Sequence, residues 1–148
     1  MVREFRKLDQ GFTLIELAVI IVILGVLAVV AMPVFSNFTN SAKINATREE
    51  MNTIKRAIVG NPTVVSGGQL IDRGFEGDCG FVPSALIDLT RRPDTVPPYD
   101  RLTRIGWNGP YLDSSRGEYL RDAWGNNYTY DPAGRRVIST GTGDTVKF

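Results

Sequence analysis

The chain has no histidine, a single cysteine and almost no net charge. Without an imidazole it has no His zinc ligand and no Ser-His-Asp or Cys-His nucleophile system. One thiol, Cys79, cannot close a disulfide within the chain. Hydrolase and redox chemistry built on those groups is excluded, and no enzyme is expected. The 17 Lys and Arg residues against 16 Asp and Glu leave a formal charge of +1, too little to draw nucleic acid by charge alone. No nucleic-acid partner is expected either. A length of 148 residues fits one small domain.

What is present is segregated. From Leu14 to Val34 the sequence reads LIELAVIIVILGVLAVVAMPV, in which only Glu16, Gly25 and Pro33 are not apolar. About 20 residues rising 1.5 Å each cross the hydrocarbon core of a bilayer. A helix buried in a protein core would carry a polar stripe, and none interrupts Leu17 to Met32. Before the run stand Arg3, Arg6 and Lys7 against Glu4 and Asp9, whereas the first basic residue after it is Lys43. This asymmetry places the N-terminus in the cytoplasm and the bulk of the chain across the membrane. A cleavable secretory signal ending at Val29-Val30-Ala31 is the competing reading. Against it, the apolar run exceeds the ~7 to 15 residues of such a signal and holds an ionisable Glu16 in its leading edge.

Beyond the run, Ile44, Thr47, Met51, Ile54 and Ile58 recur at alternating steps of three and four, with charged and amide residues between them. The same helix therefore continues in amphipathic form until Gly60 and Asn61-Pro62 stop it. One helix of about 12–59 is predicted, ~70 Å long. Pro33 removes a backbone donor and Gly25 adds a flexible point, so Gly25 to Pro33 is either a simple kink or a working joint.

Residues 60–148, rich in Gly and Pro, predict a compact domain of short strands and loops. Pro83 to Leu89 reads as a short helix with proline in its first turn. Asn127–Asp131 and Arg135–Thr140 read as a hairpin joined by a type I turn, Asp131-Pro132-Ala133-Gly134. The fold class is α+β: a long N-terminal helix, transmembrane over about 12–35 and amphipathic thereafter, packed against a small C-terminal antiparallel β-sheet domain. Trp107 and Trp124, each beside Gly and Asn, read as turn and core anchors, with nucleic-acid stacking the minor alternative. Arg91, Arg92, Arg101 and Arg104 form a modest basic cluster, read as a solvated or subunit-contacting face.

Gly11-Phe12-Thr13-Leu14-Ile15-Glu16, at the head of the apolar run, resembles the type III signal of type IV pilins and type II secretion pseudopilins. An ordinary signal anchor with a chance glutamate is the plainer alternative. The resemblance implies a leader of residues 1–11, cut by a prepilin peptidase between Gly11 and Phe12, and methylation of the new amino group on Phe12. Removing the leader, with three basic and two acidic side chains, leaves 137 residues carrying 14 charges of each sign. It also implies that Glu16 pairs with the Phe12 amine, within one chain or between subunits. The Gly25 to Pro33 stretch would be where the helix loosens in an assembled filament.

Trp107-Asn108-Gly109-Pro110-Tyr111-Leu112 followed by Asp122-Ala123-Trp124-Gly125-Asn126-Asn127-Tyr128 is similar to the C-terminal domain of the major pseudopilin of type II secretion systems, with Ala123 where proline is usual. That likeness implies a pilin-like fold and a structural subunit of an inner-membrane-anchored secretion filament with its domain in the periplasm. Its partners would be further copies of itself, minor pseudopilins, the inner-membrane assembly platform and membrane lipid. A type IV pilin of a surface fibre for adhesion, motility or DNA uptake is the alternative, with a cell-surface location. No cofactor is expected, save that such pseudopilins hold calcium in a C-terminal loop. Here the loop offers Ser139, backbone carbonyls and the lone carboxylate of Asp144, few donors for an ion that takes ~6 to 8 oxygens. The other reading of Gly141 and Gly143 is a turn into a last strand, Thr145–Phe148. The lone Cys79 lacks the disulfide-closed loop common in adhesive pilins, which favours the secretion reading.

Overall fold

The computed structural model describes residues 12–115 and 119–148. Helix α1 spans Leu14–Val59 as one α-helix, and both Gly25 and Pro33 lie within it. The chain divides into two compact units, one ending at Asn40 and the other covering Ser41–Phe148. The helix thus ends where the sequence places its end, while the boundary of compactness falls inside it. The reason is the change of periodicity. Every residue of 12–32 is exposed, whereas Thr47, Met51, Ile54, Ala57 and Ile58 are buried within the second unit.

Gly60 stops α1 as its lack of a Cβ allows: its φ is 80° and its N–H reaches the Arg56 carbonyl at 2.7 Å. Gly74, with φ of 61°, opens a short helix α2, Gly74–Cys79, and its backbone lies directly against that of Gly60. A Cβ on either glycine would collide with the other segment. Between them a two-stranded hairpin pairs β1, Val65–Ser66, with β2, Gln69–Leu70, across Gly67-Gly68. Neither α2 nor this hairpin is predicted by the sequence pattern.

The expected helix over Pro83–Leu89 is corrected to a single 3-10 turn, Leu86–Leu89. The Asp88 carboxylate takes the N–H groups of Ser84 and Ala85, both at 3.0 Å, so this stretch folds as a capped turn with Ala85 extended. Pro83 lies before it, buried, and its carbonyl accepts a bond from Tyr130 Oη at 2.8 Å.

The C-terminal sheet has three antiparallel strands in the order β3 (Thr129–Asp131), β4 (Arg136–Ile138), β5 (Thr145–Lys147). Tyr130 faces Val137 and Val137 faces Val146, so the predicted hairpin and the last strand are present, each shorter than expected. Arg135, not Gly134, takes the left-handed backbone, with φ of 48°. Its guanidinium is fixed by both Glu76 oxygens at 2.8 Å and by the Phe148 carbonyl at 2.8 Å, which offsets the cost of a side chain at positive φ. Met51, Ile54, Ile58, Phe75, Leu89 and Val137 form the core between α1, α2, the 3-10 turn and this sheet.

Candidate processing and assembly site

The N-terminal end of α1 carries more order than its sequence suggests. Thr13 is the residue before the first helical turn, and Glu16 is the third residue inside it. Glu16 Oε2 accepts from Thr13 N–H at 3.0 Å and from Thr13 Oγ1 at 2.8 Å, while Glu16 N–H donates to Thr13 Oγ1 at 3.3 Å. This reciprocal arrangement is a capping box, and its signature, Thr-x-x-Glu, is legible in the sequence as a helix start. It gives Glu16 a role in defining where the helix begins. The carboxylate is thereby held against the Thr13 backbone N–H and hydroxyl, one residue after Phe12. Phe12 itself is 77% exposed. The leader expected over residues 1–11, including Gly11, lies outside the described residues.

Behind this cap, the apolar stretch of α1 has a mean hydropathy of 3.1 over an 18-residue window and no buried residue in that window. The helix is long and apolar enough to cross a membrane. Around Gly25 a Cβ would meet nothing within 4 Å among the described residues, so none of them requires the glycine for packing.

Ser139 and Asp144, weighed above as calcium donors, are engaged otherwise, Ser139 by the carboxylate of Asp122. Asp122, only 5% exposed, receives Trp124 N–H at 3.0 Å and Asn126 N–H at 2.9 Å on Oδ1. Its Oδ2 receives Ser139 Oγ at 2.8 Å and Gly141 N–H at 2.9 Å. Burial pushes this carboxyl up, and the four donors together outweigh it, holding the group below the usual aspartate range. Asp144 is taken by Arg48 of α1, Nε to Oδ2 at 2.7 Å, and this guanidinium holds its carboxyl below the ordinary value. Ser139 and Asp144 are brought near each other, since Ser139 N–H reaches the Asp144 carbonyl at 3.0 Å, but their side chains point to different partners. As placed, these donors do not fit calcium: every carboxylate that might ligate it already faces a hydrogen-bond donor or a guanidinium. Among the described residues no group of three or more His, Cys, Asp or Glu could hold a metal ion.

The two tryptophan elements serve the fold. Trp107 donates Nε1–H to the Asp88 carbonyl at 2.9 Å and meets Tyr111 edge to face at 5.8 Å. Tyr111 in turn donates to Asp78 Oδ2 at 3.1 Å, a carboxylate buried beside Arg73. Trp124 lies under the Lys43 ammonium, 5.8 Å from the ring centre. Cys79 is half-buried, and burial pushes its thiol up, away from reactivity.

Residues 6–32 match the model of the prokaryotic N-terminal methylation motif, a span that contains Gly11, Phe12 and Glu16. Beyond that span the chain is similar, over part of its length, to fimbrial and type IV pilin proteins. It is 29% identical over 86 residues to a fimbrial protein of Pseudomonas aeruginosa, covering 55% of this chain and 54% of the relative. It is 32% identical over 90 residues to the type IV major fimbrial protein FimA of Dichelobacter nodosus, covering 61% and 52%. A 38-residue stretch is 47% identical to the type IV major pilin protein PilE1 of Neisseria gonorrhoeae, covering 26% and 23%. The chain thus spans about half the length of the curated relatives it matches. No solved structure matches it significantly. The pilin-like arrangement of long helix and small antiparallel sheet is what the sequence leads one to expect, and the relatives' names are those of structural proteins.

Proposed function

We propose that this chain is a structural subunit of a membrane-anchored helical filament, processed between Gly11 and Phe12 and N-methylated on Phe12. One observation carries the reading: the exposed apolar first part of α1, Leu14 to Met32, capped by Thr13 and Glu16, lies within the span that matches the methylation motif. An apolar stretch of that length with no polar face has two solvents open to it, lipid before assembly and the helices of other copies after it. The globular unit remains outside the membrane, consistent with the charge asymmetry around the helix.

The finer assignment is a type II secretion pseudopilus assisting export of folded proteins, supported by the Trp107–Leu112 and Asp122–Tyr128 elements and the lack of a disulfide pair. A surface fibre is the second reading, favoured by the fimbrial names of the relatives. Deleting the gene separates them. Loss of exoprotein release with surface fibres intact supports the first, and the reverse pattern supports the second.

Processing is tested by intact mass of the membrane-extracted protein. The chain is expected to begin at Phe12 and carry one added methyl group. An unprocessed Met1, or a start at Met32, overturns the assignment.

A further inference from the structure

The loop Asp100 to Ile105 is tightly held yet displays an apolar residue to solvent. Asp100 N–H and the Ile105 carbonyl pair at 2.9 Å, and Arg104 N–H returns to the Asp100 carbonyl at 2.7 Å. The Asp100 carboxylate takes Leu102 N–H at 2.9 Å and Thr103 Oγ1 at 3.0 Å. Gly106 N–H anchors the base to the Asp78 carbonyl at 2.9 Å. At the tip of this ordered turn Leu102 is 95% exposed, with Arg101 exposed beside it. Arg104 completes a basic flank, bonded through its carbonyl to Arg73 at 2.8 Å. A solvated leucine fixed by the bonds of its own turn, with the exposed Arg101 next to it and the Arg104 guanidinium held by Gln69 Oε1, is an ordered element that a partner can meet without ordering a loop.

Elsewhere on the same unit, a shallow cavity of about 420 Å³ runs beside α1. Ile54, Leu112 and Tyr119 form its apolar floor, and Glu49, Glu50 and Asp113 supply carboxylates at its rim. Tip and groove share no residue, and their charges are opposite. We propose that the Leu102 tip of one copy docks in the groove of a second copy, with Arg101 and Arg104 facing the acidic rim. The contact rests on the filament reading and deepens it by naming where globular units meet. Because it joins two different patches, it is heterologous and propagates from copy to copy instead of closing at a dimer. Opposite charges fix the order of the two patches, since tip against tip sets arginines against arginines.

The test uses the full chain in membranes, in a Cys79→Ser background. Leu102→Cys with Thr53→Cys, a position lining the groove, is expected to give an oxidative ladder of dimers, trimers and longer species. Either cysteine alone is expected to give none. A disulfide dimer from Leu102→Cys alone means tip-to-tip contact and overturns the proposal, as does equal laddering when Ile87→Cys, an exposed position that lines neither feature, replaces Leu102→Cys in the pair. No ladder from the pair, with both thiols open to a maleimide, overturns it too. Charge reversal gives a second arm. Arg101→Glu and Glu49→Arg are each expected to lower sheared-filament yield by about tenfold and the double variant to restore it to within about twofold. Normal yield from both single variants overturns the docking. If the cysteine pair gives a ladder but the wild type forms no filaments, the contact stands and the filament reading falls. If filaments form and the pair gives no ladder, the filament reading stands and the contact falls.

Discussion

Asp122 is buried with its charge intact because four donors converge on its two oxygens, from its own turn and from the segment after β4. Removing the charge weakens all four of those bonds at a group only 5% exposed. Asp122→Asn is expected to lower stability by about 2 to 3 kcal/mol at neutral pH, measured by chemical denaturation. The pH dependence follows from the depressed folded value. The contribution is fully present above the ordinary aspartate range and is lost as pH falls through the folded value, where the unfolded chain binds more protons. The wild-type thermal midpoint should therefore be flat above about pH 5 and fall below it, and Asp122→Asn should lose part of that acid slope. Glu76, held low chiefly by its hydrogen bonds to Arg135, contributes with the same sign. Since the loop is clamped by Ser139, Gly141 and Arg48, chelating calcium should shift the midpoint by no more than about 2 °C. A larger fall means that an ion holds the C-terminal loop.

Among the elements, α1 is readable almost to the residue, because an unbroken apolar run and a three-four periodicity are properties of the local sequence. Gly60 is readable for the same reason, since a glycine followed by Asn-Pro stops a helix wherever it occurs. The β1–β2 hairpin leaves a signal in Gly67-Gly68, but two-residue strands with every side chain exposed have no alternation to read. The Thr13–Glu16 cap also leaves a signal, masked when Glu16 is read only as a charge in an apolar run. What cannot be read is what joins distant residues: Arg135 in a left-handed turn, tied to Glu76 across 59 positions, and Asp122 completed by Ser139. The Gly60–Gly74 contact is of that kind and gives a sharp comparison. Gly60→Ala is expected to cost about 2 kcal/mol or more, from positive φ together with collision against Asp72 and Arg73. Gly67→Ala, at φ of 60° but in open space, should cost only about 1 kcal/mol. Equal losses in chemical denaturation would mean that the backbone contact at the end of α1 is unimportant.

For the molecule as a whole, the capping role of Glu16 and the assembly role proposed for it come apart chemically. A glutamine in its place can still accept from Thr13 N–H and complete the capping box, but it cannot neutralise a protonated amine on Phe12. A valine can do neither. Intruding a lone carboxylate among apolar helices costs ~2.5 to 3.5 kcal/mol on insertion scales, so the charge is tolerable only at an interface or against a cation. If cleavage at Gly11 exposes that cation, an incoming subunit can present it to a Glu16 already docked and so set the axial register between helices. Glu16→Gln and Glu16→Val are then both expected to be cut before Phe12 and retained in the membrane, and both to fail to enter filaments. The measurement is mass and fractionation of each variant expressed as the sole copy, followed by recovery of sheared fibres. Should Glu16→Gln assemble like the wild type while Glu16→Val does not, the capping box is what assembly requires, and the charge pair with Phe12 has no part in it.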